Sequence, residues 1–411
     1  MAEERKKPYI ERKHYLNELI SFKDDQIIKV ITGIRRGGKS TLLFDIYADW
    51  LLENGVSEEQ IIKVDLEPME AKPLYNPDSL YKHITGKLLT GKMNYVFIDE
   101  VQNCEGFEHV VDSLYIKKNV DIYVTGSNAR MLSGELATLI SGRYVEIEVL
   151  PLSFKEFVEG TKKADETLAQ KYTQYIRFGA FPKVAEYKND SKKINTYLDA
   201  LYNTIFKKDI VDRNKITNVP TFEAVMRFVL ANIGSPISSK SISDYLMSQK
   251  KNVYPKTVDD FLKSLVESFM AYKAERYDIK GKEILKSLGK YYVTDLGLRN
   301  YLLGFQEMDS GHVLENIIYF ELLRRGYKVF VGKVASREVD FIAENEKGVE
   351  YYQVTANMRD EKTRERELEP LNAIKDHFPK FIITLDEYAL SNSTYNGIIV
   401  INAIDFLLGN Y

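Results

Sequence analysis

The stretch GIRRGGKST at residues 33–41 constrains the fold of this 411-residue chain more than any other feature. It follows the apolar, β-branched run IIKVIT (27–32) and precedes TLLFDIYADWLLENG, whose apolar residues recur at helical spacing. The spacing of its glycines, lysine and serine after a strand and before a helix fits the P-loop pattern. The sequence therefore predicts an α/β fold with a parallel sheet and a phosphate-binding turn after its first strand.

Each residue type in this turn has a physical role. Glycines allow the backbone N–H groups to face a phosphate, and the following helix adds the positive end of its dipole. Lys39 is predicted to reach the β and γ phosphates of ATP, and the Ser40 hydroxyl to bind Mg²⁺. The predicted nucleotide-binding residues here are Gly33, Ile34, Arg35, Arg36, Gly37, Gly38, Lys39, Ser40 and Thr41. For Arg35 and Arg36 three partners stay open, namely phosphate, a neighbouring subunit and solvent.

A second buried-strand pattern, NYVFIDEVQ (94–102), ends in two carboxylates. Asp99 is predicted to hold Mg²⁺ through water, and Glu100 to orient and deprotonate the attacking water. An acidic pair of this kind also occurs on solvent-facing loops. Together with a P-loop, it favours hydrolysis of the nucleotide.

A third strand pattern, VDIYVTGSN (120–128), ends in polar residues. In the additional-strand class of P-loop ATPases this strand lies between those that carry the lysine and the acid pair, so Ser127 or Asn128 is predicted to sense the γ-phosphate. After the helical stretch ARMLSGELATLIS, Arg143 precedes the predicted fifth strand YVEIEVL. Arg143 is interpreted either as an arginine that acts on a neighbouring subunit's nucleotide or as a salt-bridging surface residue.

These motifs carry a resemblance to a known family. The segments GIRRGGKSTLL, YVFIDEVQN, YVTGSNARMLSGELATLISGRY and LPLSFKEF resemble AAA+ superfamily ATPases of bacteria and archaea with a C-terminal domain of unknown function of the DUF4143 type. The resemblance runs along nearly the whole chain. YIRFGAFPKV (175–184) is similar to that family's lid segment, which implies that Pro182 contacts adenine and that Tyr9, Ile10 and Arg12 close its other side.

The length of the chain predicts more than one domain. We predict an AAA+ P-loop ATPase domain at 1–150, a lid with connecting helices at 151–215, a winged-helix domain at 216–305 and a restriction-endonuclease-like α/β domain at 306–411.

The predicted winged-helix domain has three helical patterns followed by a hairpin. The helices are PTFEAVMRFVLANIG, SSKSISDYLMSQ and KTVDDFLKSLVESFM, and the wing comprises AYKAERYD, a KGK turn and KYYVTDLG. DNA contacts are expected from the third helix and the wing, through Lys256, Thr257, Lys263, Lys280 and Lys282. Acidic residues on the same helix oppose this interpretation and keep a protein contact equally open, namely Asp259, Asp260 and Glu267.

The C-terminal pattern of helix, three strands, helix and strand is the core order of restriction-like nucleases. Those enzymes hold Mg²⁺ with residues that correspond here to Glu315, Asp340 and Gln353, whereas Thr355 stands where their lysine belongs. Without that lysine we favour a nuclease-like fold without nuclease activity. The alternative is that Glu315 and Asp340 form surface salt bridges, with Arg337 or Lys333 as partners.

Composition limits the partners and the compartment. A net charge of -3 excludes a uniformly basic nucleic-acid binder. The single cysteine, Cys104, and an N-terminal segment without an apolar signal sequence predict a cytoplasmic protein that spans no membrane. The first functional hypothesis is Mg²⁺-dependent ATP hydrolysis that moves the attached domains on DNA or another nucleic acid. The alternatives are a nucleotide-controlled switch for a protein partner and an active nuclease. A homo-oligomer that forms with ATP would favour the first hypothesis, and a persistent monomer would favour the switch.

Overall fold

The computed structural model describes residues 9–132, 140, 142–161, 166–305, 310–386 and 394–411. Two compact units are present. The first comprises residues up to Pro151 together with Glu267–Phe269, and the second comprises the other residues from Leu152 onward.

The first unit is built on a five-stranded sheet in which all neighbouring strands are parallel. Its strands are β1 (Ile28–Thr32), β2 (Ile61–Asp65), β3 (Asn94–Asp99), β4 (Val120–Thr125) and β5 (Tyr144–Glu148). The spatial order is β2-β3-β4-β1-β5. As the sequence predicted, β4 lies between the strand before the P-loop and the strand before the acid pair, so the carboxyl ends of these three strands share one edge.

Successive residues of each central strand face opposite sides of this sheet. Val96 and Ile98 of β3 belong to one hydrophobic core, and Tyr95 and Phe97 belong to a second core on the other face. Such near-continuous apolar strands are expected of a parallel sheet that is covered on both faces. The covering helical segments are Lys13–Ser21, Lys39–Thr41 with its continuations Leu42–Tyr47 and Ala48–Glu53, Pro77–Thr85 and Phe107–Tyr115.

The second unit begins with helices that mostly start at polar side chains. The helical segments before its first long strand are Phe154–Gly160, Leu168–Phe178, Pro182–Glu186, Ser191–Thr204 with its continuation Ile205–Asp212, Val219–Ala231, Ser239–Ser248 and Pro255–Glu267. At three helix starts a side-chain hydroxyl accepts a hydrogen bond from a backbone N–H of the first turn, namely those of Ser153, Thr167 and Ser238. These caps satisfy backbone donors that the helices cannot satisfy themselves.

One mixed sheet of nine strands organises the rest of the second unit, in the order β13-β14-β12-β11-β10-β9-β7-β8-β6. The strands are β6 (Pro236–Ile237), β7 (Ala271–Asp278), β8 (Glu283–Val293), β9 (Lys328–Val334), β10 (Arg337–Asn345), β11 (Gly348–Thr355), β12 (Lys380–Thr384), β13 (Thr394–Tyr395) and β14 (Ile398–Asn402). Further helices are Leu296–Leu303, Ser310–Arg324, Glu361–Asn372 and Ala403–Leu408. The hairpin β7–β8 joins the later strands because β7 pairs with β9 in parallel.

Two predicted elements differ from the observed ones. The second strand of the hairpin begins at Glu283 and ends at Val293, whereas the sequence pattern placed it over KYYVTDLG. The residues after Val293 belong to the start of the next helix, with Asp295 as its cap. Of the predicted helix ARMLSGELATLIS, a short turn at Ala129–Leu132 is seen, and most of the remainder lies outside the described residues.

Candidate functional site

The P-loop turn connects β1 to the helix that begins at Lys39. Gly33 and Gly38 have φ angles of 133° and 104°, which L side chains rarely adopt. A Cβ atom at Gly33 would also clash with the carbonyl oxygen of Val149. The Lys39 ammonium is buried and donates to the carbonyls of Gly33 (2.9 Å) and Ile34 (3.1 Å). The lysine side chain therefore lies across the loop that is predicted to hold phosphate.

Ser40 and Asp99 meet at the carboxyl edge of the sheet. The Ser40 hydroxyl donates to Asp99 Oδ2 at 2.7 Å, and the Thr125 hydroxyl donates to Asp99 Oδ1. Burial raises the pKa of Asp99, while the two hydroxyl donors act in the opposite direction. A hydroxyl and a carboxylate are thus adjacent at the position where the sequence predicted Mg²⁺ ligands.

Glu100 adopts a left-handed backbone conformation, with φ 51° and ψ 47°. Such a conformation in a residue other than glycine costs about 1–3 kcal/mol. Its N–H donates to Thr125 Oγ1 at 3.0 Å, and its carboxylate accepts from Gln102 and, at 3.1 Å, from Ser127. Burial raises the pKa of Glu100, but the charges of Lys39 and Arg35 outweigh it and leave the pKa below its ordinary value. Glu100 is therefore ionised at neutral pH.

Three arginines lie in or beside the P-loop, and their partners differ. Arg35 donates to Glu67 at 2.6 Å, whereas Arg36 is 59% exposed at its side chain and lies 3.5 Å from the same carboxylate. Arg12 is buried and donates to the carbonyls of Gly37 (3.2 Å) and Leu150 (2.7 Å). Sequence reasoning missed both Glu67 and this contact of Arg12. The signal available was an acidic residue just after β2, whose carboxyl end lies on the same edge of the sheet as that of β3.

The other predicted residues of the first unit are placed as follows. Asn128 is buried after β4, and its carbonyl accepts the N–H of Met131 at 3.1 Å. Arg143 is half-exposed and pairs with Asp112 at 2.9 Å, which is the salt bridge of one sequence interpretation. Tyr9 donates to Asp49 at 2.7 Å. Thr41 lies in the first turn of the helix after the loop.

Pro182 belongs to the second unit. It is the first residue of the helix Pro182–Glu186, where a missing N–H is harmless. The turn before it is held by Asp295, whose carboxylate accepts the N–H of Ala180 at 2.6 Å. A lid role of Pro182 towards adenine stays a prediction.

The surface predicted to bind DNA carries charges of both signs. Lys256 and Lys263 are exposed on the helix Pro255–Glu267, and Asp259 and Asp260 are exposed beside them. Thr257 is half-buried, and Lys280 and Lys282 are exposed at the hairpin turn.

The predicted C-terminal acid residues come together, but their partner differs from the expected one. Glu315 and Asp340 lie next to Lys290 of β8. The prediction of a salt bridge to Arg337 is wrong, because Arg337 pairs with Glu369 of the helix Glu361–Asn372. Two other side chains of the predicted site have local partners, since Gln353 donates to Glu367 (3.0 Å) and Thr355 donates to the Asn357 carbonyl (3.0 Å).

The P-loop residues fit a nucleotide with its magnesium ion. The backbone at Gly33 leaves no room for a side chain, and the ammonium of Lys39 is directed at the carbonyls of the loop. Ser40 and Asp99 share a hydrogen bond. Within the described parts of the chain, no three His, Cys, Asp or Glu side chains are grouped to hold a metal by themselves. A Mg²⁺ ion here would depend on phosphate oxygens as well, as is usual for this metal.

This fold and site define a P-loop protein. The model of the AAA domain matches residues 25–158, and the model of a domain of unknown function, DUF8612, matches residues 169–309. An uncharacterized protein of Haemophilus influenzae is 38% identical over 405 residues, which cover 98% of this chain and 99% of that protein. An uncharacterized protein of Methanocaldococcus jannaschii is 31% identical over 391 residues, covering 90% of this chain and 82% of that protein. The chain belongs to the family that these two proteins represent.

Solved structures show a more distant similarity. The Aeropyrum pernix ORC1 protein in complex with DNA aligns with 72% of this chain and 93% of its own, at 11% identity and a TM-score of 0.31. AMPPCP-bound DnaA from Aquifex aeolicus aligns with 62% of this chain and 86% of its own, at 13% identity and a TM-score of 0.31. Similarity at this level transfers no function to the chain.

Among the described residues, no helix combines the length and the apolar character that crossing a membrane requires.

Proposed function

We propose that this chain binds ATP together with Mg²⁺ and hydrolyses it. The observation that carries the proposal is the 2.7 Å hydrogen bond between Ser40 and Asp99, which brings the P-loop hydroxyl to the carboxylate of a strand that is not adjacent to β1. Ser40 and Asp99 would hold Mg²⁺, and the ion would supply positive charge to neutralise the charge that develops during phosphoryl transfer. The AAA domain match over residues 25–158 supports the same activity.

The chain's own residues have distinct tasks in this proposal. Lys39 and the backbone N–H groups of the loop bind the phosphates. Glu100 orients a water molecule and accepts its proton, for which an ionised carboxylate is needed. Gln102 and Ser127 donate to this carboxylate and fix its direction.

Two substitutions test the activity. Lys39→Ala is expected to lose ATP binding, because the charge that faces the phosphates is gone. Glu100→Gln is expected to bind ATP but to hydrolyse it about 10²–10⁴-fold more slowly, which is the usual contribution of a general base. Both are measured by nucleotide binding and phosphate release, with Lys118→Ala at an exposed lysine as the control. Hydrolysis by Lys39→Ala at the rate of the control would refute the proposal.

Nucleotide binding and hydrolysis are proposed to change the conformation of the attached domains, with nucleic acid as the partner. The segment before the helix Pro255–Glu267 supports this choice. Tyr254 is 78% exposed, and Lys250, Lys251 and Lys256 near it are exposed as well. An exposed ring among ammonium groups suits a nucleic-acid strand, because bases stack on the ring and phosphates attract the lysines.

Binding of labelled single-stranded and duplex DNA tests this partner. We expect Tyr254→Ala to weaken binding of the single strand more than Phe378→Ala, which removes an exposed ring elsewhere in the second unit. Affinity is measured at 50 and 200 mM salt, since phosphate contacts give a steep salt dependence. Equal affinities of the two variants would exclude this segment as the contact.

A nucleotide-controlled switch for a protein partner is the alternative, and oligomerisation separates the two. The native mass of Glu100→Gln is compared with and without ATP. Oligomers that form with ATP favour a machine that acts on nucleic acid, and they give Arg143 a neighbouring nucleotide to act on. A monomer under both conditions favours the switch.

A further inference from the structure

A buried cluster of charges lies in the second unit at the junction of three elements. Lys290 on β8 contacts Glu315 on the helix Ser310–Arg324 at 2.8 Å, and Glu338 and Asp340 on β10 at 2.8 Å and 3.7 Å. Lys290 is only 3% exposed. Its ammonium is therefore surrounded by carboxylates instead of water, with Glu315 and Glu338 within hydrogen-bond distance.

Two further side chains contact the Glu315 carboxylate. The Tyr292 hydroxyl donates to Glu315 at 2.6 Å, and His312, half-exposed, lies 3.7 Å from its other oxygen. Burial raises the pKa of Glu315, but the Lys290 charge outweighs it and leaves the pKa below its ordinary value. For Lys290, burial lowers the pKa, but the three neighbouring carboxylates raise it by more than burial lowers it. Lys290 therefore remains an ammonium. The cluster has a charged lysine at its centre that pairs with the ionised Glu315, whereas burial and the Glu315 charge raise the pKa of Asp340 to about 7.

The residues do not fit the metal that the restriction-like order of elements implies. Asp340 Oδ2 accepts the N–H of Val354 at 2.9 Å, and its Oδ1 faces Lys290. Gln353 donates to Glu367 and has no negative charge to offer. The 2.8 Å separations of Nζ from Glu315 and Glu338 are those of charge-assisted hydrogen bonds, so both carboxylates already have a cation as their partner.

The position of the lysine in the chain also argues for a structural counter-charge. It comes from β8 of the hairpin, whereas the carboxylates come from the elements that follow Ser310. Removing one member of a buried ion pair leaves an uncompensated charge and is strongly destabilising. The ammonium thus joins the hairpin to the later part of the sheet through charge.

We infer that Lys290 is the built-in cation of this cluster, that its ammonium balances the charges of Glu315, Glu338 and Asp340 in place of a divalent ion, and that the cluster is therefore free of metal. The hairpin β7–β8 and the strands from β9 onward are then joined by an internal salt-bridge network. Metal-dependent cleavage of nucleic acid does not occur at this cluster.

The first test is a titration of the full-length, nucleotide-free protein with Mn²⁺ and Mg²⁺, followed by calorimetry and thermal unfolding. Wild-type protein and Asp340→Asn are expected to give the same heat of metal titration and the same shift in melting temperature, because no metal binds at the cluster. Binding that Asp340→Asn removes, or Mn²⁺-dependent cleavage of plasmid DNA that this variant lacks, would overturn the inference.

The second test replaces the cation. Lys290→Met is expected to melt below Lys273→Met, the matched control at an exposed lysine of the same hairpin. It is also expected to gain Mn²⁺ binding that wild type lacks, because the carboxylates have lost their internal counter-charge. A Lys290→Met protein that is as stable as the control, or that Mn²⁺ does not stabilise, contradicts the inference.

A double variant covers the case in which Lys290→Met does not fold. Lys290→Met with Glu315→Gln removes one charge of each sign, so it is expected to recover folded protein that Mn²⁺ leaves unaffected. If this variant also fails to fold, charge balance is not what Lys290 supplies and the inference is wrong.

Discussion

The Asp295 carboxylate fills the space beside Gly179 that a side chain at this position would need. A Cβ atom at Gly179 would overlap both oxygens of Asp295, which cap the helix Leu296–Leu303 and accept the N–H of Ala180. Gly179 itself ends the helix Leu168–Phe178 with φ 84° and ψ -172°, a conformation essentially limited to glycine. The turn before Pro182 and the helix after β8 are therefore held together by one carboxylate.

Gly179→Ala is expected to destabilise the protein more than Gly304→Ala. Gly304 also ends a helix with a positive φ, 82°, but a Cβ atom there would meet nothing within 4 Å. Both variants carry a backbone cost of about 1–3 kcal/mol, and Gly179→Ala adds an overpacking cost of about 1–3 kcal/mol. Urea unfolding measures the difference, and equal free energies of unfolding would mean that Asp295 moves aside without cost.

The stability that depends on Asp295 should increase as the pH falls. Burial raises the pKa of Asp295 to about 6 from 3.8, although the N–H groups of Ala180 and Leu298 favour the ion. Because the folded state binds this proton more tightly than the unfolded state, the contribution of Asp295 increases as the pH falls from 7 to 4, by at most about 3 kcal/mol at ~1.4 kcal/mol per pH unit.

The comparison that isolates this group is wild type against Asp295→Asn. Their free energies of unfolding are measured in urea at pH 7.5, 6.0 and 4.5, and wild type should gain relative to the variant at the lower pH values. A difference that does not change with pH would show that the folded protein holds the charged form as readily as the unfolded chain does.

Arg35→Ala should shift the pH dependence of ATP hydrolysis. The Arg35 charge is one of the causes that lower the pKa of Glu100, so its removal raises that pKa and moves the acidic limb of the rate profile to higher pH. Arg36→Ala is the matched comparison, because Arg36 neighbours it but is mainly exposed. Identical acidic limbs for the two variants would mean that Arg35 does not act on Glu100.

The ion pair of Lys29 and Asp121 lies near the end of the first sheet opposite to the P-loop. Both side chains are buried, and Asp121 also accepts from Tyr123 at 2.8 Å and from the N–H of Asp24 at 3.0 Å. Lys29→Met leaves a buried carboxylate without its cation and should lower the free energy of unfolding by about 3–5 kcal/mol. Lys29→Met with Asp121→Asn should recover part of this loss in urea unfolding, and no recovery would show that charge is not the cause.

The parts of the site that the sequence predicts well are local. Lys39 and Ser40 belong to one contiguous motif, and Asp99 and Glu100 directly follow a buried strand, so their meeting at one sheet edge follows from the parallel fold. Ser40 and Asp99 are hydrogen-bonded, although the nucleotide roles of these residues stay predictions.

Pairs that are distant in the chain could not be predicted in the same way. Gly179 contacts Asp295, and Lys290 contacts Glu315 and Asp340, only because of the way the second unit packs. A single sequence has no signal for such pairs, since GAFP is an ordinary turn and Lys290 lies in a strand pattern with no motif. The start of β8 is likewise not predicted from the sequence, because its first residues alternate between apolar and polar less clearly than KYYVT.

The pairing of β7 with β9 has a practical consequence for anyone who divides this protein. Arg276, Tyr277 and Asp278 are in register with Val331, Gly332 and Lys333, so a cut between residues 305 and 306 separates two hydrogen-bonded neighbours. Each fragment would then present an unpaired strand edge to solvent, and such edges recruit other chains. Fragments that begin after residue 305 should therefore aggregate, and the soluble shorter version to make is one that retains the hairpin.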